Sequence, residues 1–159
     1  MNHPNPHLPP PPLPATRPQA LKVWERTMQR ASYAARTEQP SLERACTVEA
    51  VEHARRLLED PPPGHEASCV AAFVVSLHNL ADIDLGAGAD DAASRHLCRA
   101  HAELLDRARD PSGCPALRDA ALCQLRETRS ALLVYLGNHP GHPAATGALH
   151  RPGPDLPLM

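Results

Sequence analysis

The chain has 159 residues, a net charge of −2 with histidine taken as neutral, and no block of one charge sign. This length is enough for one domain of ordinary size, and the charge balance excludes the strongly basic surface typical of nucleic-acid-binding proteins. The longest apolar run, residues 70–75, is too short for us to expect a membrane-spanning helix. Prolines occupy the N-terminal region, where a secretory signal would be apolar. We therefore expect a cytoplasmic protein whose five scattered cysteines are reduced thiols.

Proline divides the chain into a central domain and two tails. Eight of the first 18 residues are Pro, and five more Pro follow Gly137 together with Gly and His. Such segments bury too little apolar surface to offset the loss of chain entropy. We predict disordered segments at 1–17 and 138–159, with a helical domain at 18–137 between them. The preference for Arg over Lys, with Lys22 as the only lysine, indicates a GC-rich bacterial genome.

The first two predicted helices lie on either side of a proline. Apolar residues recur with helical spacing through residues 21–35 and again through 42–58. Pro40 disfavours a helical conformation at the residue before it, and Ser41 is the expected N-cap of the second helix. The sequence DPPPG at 60–64 then ends that helix.

Three more helices follow, and no alternating strand pattern of useful length is present. The third carries an apolar face over residues 70–81 and ends at the glycines of 86–88. An acid at 90–91 can cap the start of the fourth, which ends at DPSGCP, residues 110–115. The fifth ends at Gly137, a suitable C-cap. Short connections favour antiparallel packing of neighbouring helices.

The third and fourth helices contain a repeat-like pattern. It reads Leu77-x-x-Leu80-Ala81-x-x-Asp84, then Gly88, then Ala93-x-x-x-Leu97-x-x-Ala100, then Pro111. This pattern resembles the tetratricopeptide repeat, which reads W-x-x-L-G-x-x-Y, then A-x-x-x-F, then P. The long second helix is most similar to that of kinesin light chain-type repeats, whereas Asp84 stands where the repeat usually has an aromatic residue. Residues 20–63 resemble the repeat more faintly, and the fifth helix resembles it in topology only.

The resemblance implies an all-α fold in which antiparallel helix pairs stack as a short tetratricopeptide-like right-handed solenoid with a C-terminal capping helix. A closed five-helix bundle is the alternative, because the same amphipathic pattern serves both. The resemblance also implies a protein–protein interaction module, an adaptor or chaperone-like protein, that needs no cofactor. Its partner would be an unidentified protein or peptide, and self-association is possible. Neither nucleic acid nor membrane is an expected partner.

In the resembled family, one face of the first helix of each pair lines the partner-binding groove. On this basis we expect the partner segment to contact Val75, His78, Asn79, Asp82, Arg126 and Arg129. Asn can both donate to and accept from a peptide backbone, and Arg offers paired donors to a carboxylate. The other interpretation is an ordinary solvated face carrying one i, i+4 pair.

A metal-binding or metal-sensing protein is the second hypothesis. His78, Cys98 and His101 are the candidate ligands, because imidazole and thiolate both bind zinc. Cys98 and His101 share a helix face, whereas His96 and His101 do not. Alternatively, His101 is a partly buried, hydrogen-bonded histidine at the edge of the packed face. We do not expect an enzyme, because the sequence has no P-loop and no nucleophile elbow.

Overall fold

The computed structural model describes residues 17–153, which form helices and no strand. The six helices are α1 (Arg17–Arg36), α2 (Pro40–Glu59), α3 (Glu66–Gly86), α4 (Asp90–Arg109), α5 (Pro115–Asn138) and α6 (Pro143–His150). The disordered segment predicted at 1–17 lies outside the described residues, except that Arg17 begins α1. Residues 154–159 of the predicted C-terminal tail are also outside them.

Consecutive helices form hairpins that stack on one another. Helix α1 packs on α2, α3 on α4, and α5 with the short α6, while α3 joins neighbouring hairpins by also contacting α1, α2 and α5. Among the six described helices, α1 contacts only α2 and α3. The helices therefore form an open, solenoid-like stack rather than a closed bundle, and the predicted all-α fold of paired helices is confirmed.

The turns inside the first two hairpins have the same backbone geometry. In each, the residue after the C-cap has a positive φ, 55° at Glu38 and 73° at Gly88. The next backbone N–H donates to a carbonyl of the helix's last turn, over 2.9 Å at Gln39 and 2.8 Å at Ala89. This is the Schellman arrangement, which ends a helix with a left-handed residue. The first two hairpins are thus matched in their turns as well as in their helices.

Helix α2 begins one residue before the expected N-cap. Pro40 is the first helical residue and Gln39 is the N-cap, so the assignment of Ser41 as N-cap is wrong. Proline suits the first helical position because a backbone N–H there would have no acceptor within the helix, and because its fixed φ already matches the helical conformation.

A sixth helix lies in the segment predicted to be disordered. Pro143 begins α6, and the side chain of the N-cap His142 accepts a hydrogen bond from the backbone N–H of Ala145 over 3.4 Å. Ala145 and Ala148 lie on one face of α6 and are buried against α4 and α5. The prediction of disorder is wrong for this helix, because Ala145 and Ala148 can pack on an apolar surface that α4 and α5 provide.

Helix α3 is apolar because it occupies the centre of the stack. By length and composition its 21 residues could cross a membrane, which corrects the expectation that no segment is long enough. More than half of the apolar window, 56%, is buried inside the protein. Phe73, Leu77 and Ala81 are among its fully covered side chains. Packing against neighbouring helices on several sides explains this composition.

Candidate functional site

Two clefts flank α3. One, the α1–α3 cleft, lies between α1 and α3 and is also lined by the first half of α2, and the other lies between α3 and α5. The surface that contains both clefts is named the groove face here. Helices α1, α3 and α5 are the first helices of the three hairpins, and they lie side by side along this face. The indole N–H of Trp24 donates to Ser76 Oγ over 2.8 Å and fixes α1 against α3 at one end of the first cleft.

The cleft between α1 and α3 has a volume of about 790 Å³. Its walls are built largely from small side chains, among them Ala31, Ser32 and Ala35 of α1 together with Gly86 and Ala87. These residues are too short to fill the space between the two helices, so the helices leave an open gap. The gap is within the size range of ordinary ligand-binding clefts.

The cleft between α3 and α5 is smaller, with a volume of about 270 Å³. His78, Asp82 and Leu85 line it from α3, and Glu127 and Val134 are among the residues that line it from α5. The side chain of Val134 is 68% exposed, which is high for an aliphatic residue. This cleft therefore offers both polar and apolar contacts.

The four predicted contact residues of α3 lie together on or beside the clefts. Asn79 lines the α1–α3 cleft, His78 lines the α3–α5 cleft, and Asp82 lines both. Val75 lies one turn before His78 and Asn79 and is 44% exposed, although it lines neither cleft. The helical spacing of the four residues explains why they share one side of α3.

The two predicted arginines of α5 do not line either cleft. Burial is the main cause that lowers the pKa of His101 on α4, and the positive charge of Arg129 acts in the same direction. Arg126 is exposed. Both side chains are roughly 100° or more around α5 from Glu127, which does line the groove face. The structure does not place the two arginines on the cleft walls, and the sequence alone did not indicate which face of α5 packs beside α3. Their contact with a partner stays a prediction.

His78 is half-buried beside two carboxylates. Burial lowers its pKa, while the charges of Glu127 and Asp82 act in the opposite direction. Its Nε2 atom is shielded from solvent and has no hydrogen-bond partner within residues 17–153. The buried Nε2 atom is therefore not available to a molecule in the cleft without a movement of the His78 side chain.

A buried carboxylate that the sequence analysis did not assign lies on α3 and contacts side chains of α2 and α4. Asp84 is 2% exposed and accepts hydrogen bonds from Arg44 Nε over 2.8 Å and Arg44 Nη2 over 3.3 Å. His96 Nε2 lies 3.0 Å from the second carboxylate oxygen. The hydrogen bond from Arg44 is the main reason that the pKa of Asp84 is below its usual value.

The Asp84 contacts connect three helices, since Arg44 is on α2, Asp84 on α3 and His96 on α4. An ion pair with one buried partner constrains which helix faces can meet, because the buried carboxylate requires its donors. The signal was present in the sequence, because Asp84 follows Leu77 and Leu80 at the spacing of the buried stripe. A charged residue on a buried stripe requires a partner, although one sequence cannot identify it.

The proposed metal ligands are not brought together. His78 lies in the α3–α5 cleft, Cys98 is 3.9 Å from Ser94 Oγ, and His101 Nδ1 is 2.9 Å from Thr128 Oγ1. Within residues 17–153, no group of three or more His, Cys, Asp or Glu side chains is placed to hold a metal ion. His101 is 4% exposed, which confirms the alternative of a buried, hydrogen-bonded histidine.

The fold and the clefts define the class of protein: an all-α stack of helix hairpins with an open, partly polar groove face. Residues 22–153 match the family model described as "Protein of unknown function (DUF2753)", and the chain therefore belongs to this family. No curated protein and no solved structure matches the chain. The resemblance of residues 77–111 to the tetratricopeptide repeat stays a prediction.

Proposed function

We propose that this protein is a tetratricopeptide-like interaction module, an adaptor or chaperone-like protein that holds a segment of a partner protein on its groove face. The observation that carries the proposal is the pair of clefts on either side of α3, which form one accessible surface across three parallel first helices. The α1–α3 cleft, at about 790 Å³, is within the size range of the concave sites where proteins usually bind other molecules.

The chemistry of the groove face suits an extended polypeptide. The side-chain amide of Asn79 can pair with backbone N–H and C=O groups, and His78 forms part of the wall of the α3–α5 cleft. Val75 and Val134 are exposed by 44% and 68%, and they offer apolar contacts for the partner's side chains. Since the groove lies on packed helices, the partner does not have to order it on binding, which lowers the cost of association.

The proposal predicts that filling the α1–α3 cleft blocks binding. Ser32 is exposed and lines this cleft, so Ser32→Trp places an indole in the gap while leaving the core residues unchanged. Ala144 of α6 is also exposed and lines neither cleft, so Ala144→Trp is the matched control. Circular dichroism and thermal unfolding would establish that both variants are folded.

The measurement is selection from a random peptide library displayed on phage, with the full chain as bait. We expect peptides that bind the wild-type protein and Ala144→Trp, and that bind Ser32→Trp at least tenfold more weakly. The proposal is wrong if no peptide is enriched, or if the enriched peptides bind Ser32→Trp as tightly as the wild type.

A further inference from the structure

The groove face carries negative charge that the protein does not neutralise itself. Asp82 and Glu127 lie on opposite walls of the α3–α5 cleft and both act on His78. Among the side chains that the structure describes, those of residues 19–153, neither carboxylate forms an ion pair with Lys or Arg. Glu43 adds a third carboxylate at the rim of the α1–α3 cleft.

The positive groups near the groove are few and already engaged. Arg44 lines the α1–α3 cleft, but its charge is balanced by Asp84, to which it donates two hydrogen bonds. Helix α3 has no Lys or Arg among its 21 residues. Two histidines, His78 and His139, line the α3–α5 cleft, and burial lowers the pKa of His78, which favours its neutral form.

Charge is also segregated around α5. Glu127 faces the cleft, whereas Arg118, Arg126 and Arg129 do not line it. Each of these arginines is roughly 100° or more from Glu127 around the helix. The arginines of α5 therefore lie away from the groove, and the carboxylates on the groove face are not balanced by them.

We propose that the partner segment carries a Lys or Arg side chain that lies between Asp82 and Glu127, with small apolar residues beside it. This inference rests on the proposed function and names the chemistry of the partner. The cation neutralises both carboxylates, and its aliphatic stem lies along Leu85 and Val134. Long basic side chains combine these two properties, since an apolar stem supports the charged end.

A second copy of the chain is a less suitable occupant. Its exposed arginines on α4 and α5 lie on helices packed into a stack, whereas a cleft of about 270 Å³ has room for single side chains and not for a packed helix. An extended segment presents single side chains and fits a narrow cleft better.

The test uses the full chain, peptides enriched in the library selection, and two protein variants. Asp82→Asn/Glu127→Gln removes both groove carboxylates with little change in size. Asp106→Asn/Asp119→Asn removes two exposed carboxylates that line neither cleft, and it controls for net charge. Each protein is titrated with a basic peptide and with its analogue in which norleucine replaces the Lys, by fluorescence anisotropy.

We expect the enriched peptides to contain Lys or Arg at one recurring position. The groove variant should bind the Lys peptide about tenfold more weakly than wild type, the effect of losing two partly exposed charge pairs. It should bind the norleucine peptide with less than a twofold change. The control variant should match wild type for both peptides, and added salt should weaken only the binding of the Lys peptide.

Three results would overturn the inference. Enriched peptides that are acidic or uncharged would do so, as would equal affinity for the Lys and norleucine peptides. Self-association of the wild-type chain that Ser32→Trp abolishes would make a second copy the occupant. If the enriched peptides fail one of the charge tests but bind Ser32→Trp at least tenfold more weakly than the wild type, the proposed function stands and only the charge preference is wrong. If Ser32→Trp blocks nothing, the proposed function itself fails.

Discussion

Replacing Asp84 with Asn should destabilise the whole stack, because this carboxylate joins α2, α3 and α4. Asp84→Asn preserves the shape of the side chain and removes its charge. It also replaces one acceptor oxygen with an NH₂ group, which cannot accept the hydrogen bonds that Arg44 donates to Asp84. Asp84 accepts from Arg44 over 2.8 and 3.3 Å and lies 3.0 Å from His96 Nε2.

The size of the effect follows from the burial of the two partners. Hydrogen bonds to charged groups contribute about 1.5–3 kcal/mol each, and breaking a fully buried ion pair costs about 3–5 kcal/mol. The side chain of Arg44 is 49% exposed, so water compensates for part of its loss. We therefore expect a loss of about 2 kcal/mol at pH 7, which lowers the melting temperature by about 6 °C.

The pH dependence gives a second, independent readout. The folded-state pKa of Asp84 is below its usual value, chiefly because of the hydrogen bond from Arg44. A depressed carboxylate pKa contributes stability that is present above the unfolded pKa of about 4 and is lost as pH falls through the folded pKa. The difference between wild type and Asp84→Asn should therefore shrink as the pH falls below about 4.

The assay is urea unfolding followed by circular dichroism, with Asp82→Asn as the control. Asp82 lies on the same helix but is exposed, so its substitution should change the free energy of unfolding by less than about 0.5 kcal/mol. Equal stabilities of wild type and Asp84→Asn at pH 7 would refute the reasoning. So would a difference between these two proteins that does not change below pH 4.

Three further predictions concern other parts of the stack. Glu38 has φ of 55°, a conformation that favours glycine, so Glu38→Gly should raise the free energy of unfolding by about 0.5–1 kcal/mol in urea titrations; an unchanged or lower value would contradict the turn geometry. Burial lowers the pKa of His101 in the folded protein, so the unfolded protein binds a proton at this residue at a higher pH than the folded protein does. The free energy of unfolding should therefore fall as pH drops below about 6.5. His101→Gln should reduce the slope of this free energy against pH, and an unaltered slope would count against the prediction. Burial raises the pKa of Cys69 to about 11, so a thiol reagent at pH 8 should label exposed Cys114 and Cys123 quickly and Cys69 only after unfolding; rapid labelling of Cys69 in the folded protein would be inconsistent with its position.

The sequence predicts the helices well because their ends carry strong local signals. The glycines at 86–88 and the prolines of 60–64 stop helices through backbone geometry, which does not depend on the rest of the fold. The shared stripe of His78, Asn79 and Asp82 follows from helical spacing alone. These features are local, and one sequence is sufficient to find them.

Features that depend on neighbouring helices could not be predicted in this way. The direction of Arg129 is set by how α5 rotates against α3 and α4. Helix α6 is stable because α4 and α5 provide a surface for Ala145 and Ala148, and the composition of the tail does not reveal this surface. The partner of Asp84 is distant in sequence, so its burial could be inferred from spacing but its pairing with Arg44 could not.

The central claim is that the groove face binds an extended segment of a partner. Its most direct test is chemical-shift mapping on the ¹⁵N-labelled full chain, titrated with a peptide enriched in the library selection. The account predicts that perturbed amides cluster on α1 from Met28 to Ala35, on α3 from His78 to Gly86 and on α5 from Glu127 to Val134, including the side-chain amide of Asn79. Perturbations confined to α4 and α6, or spread evenly over the chain, would contradict it.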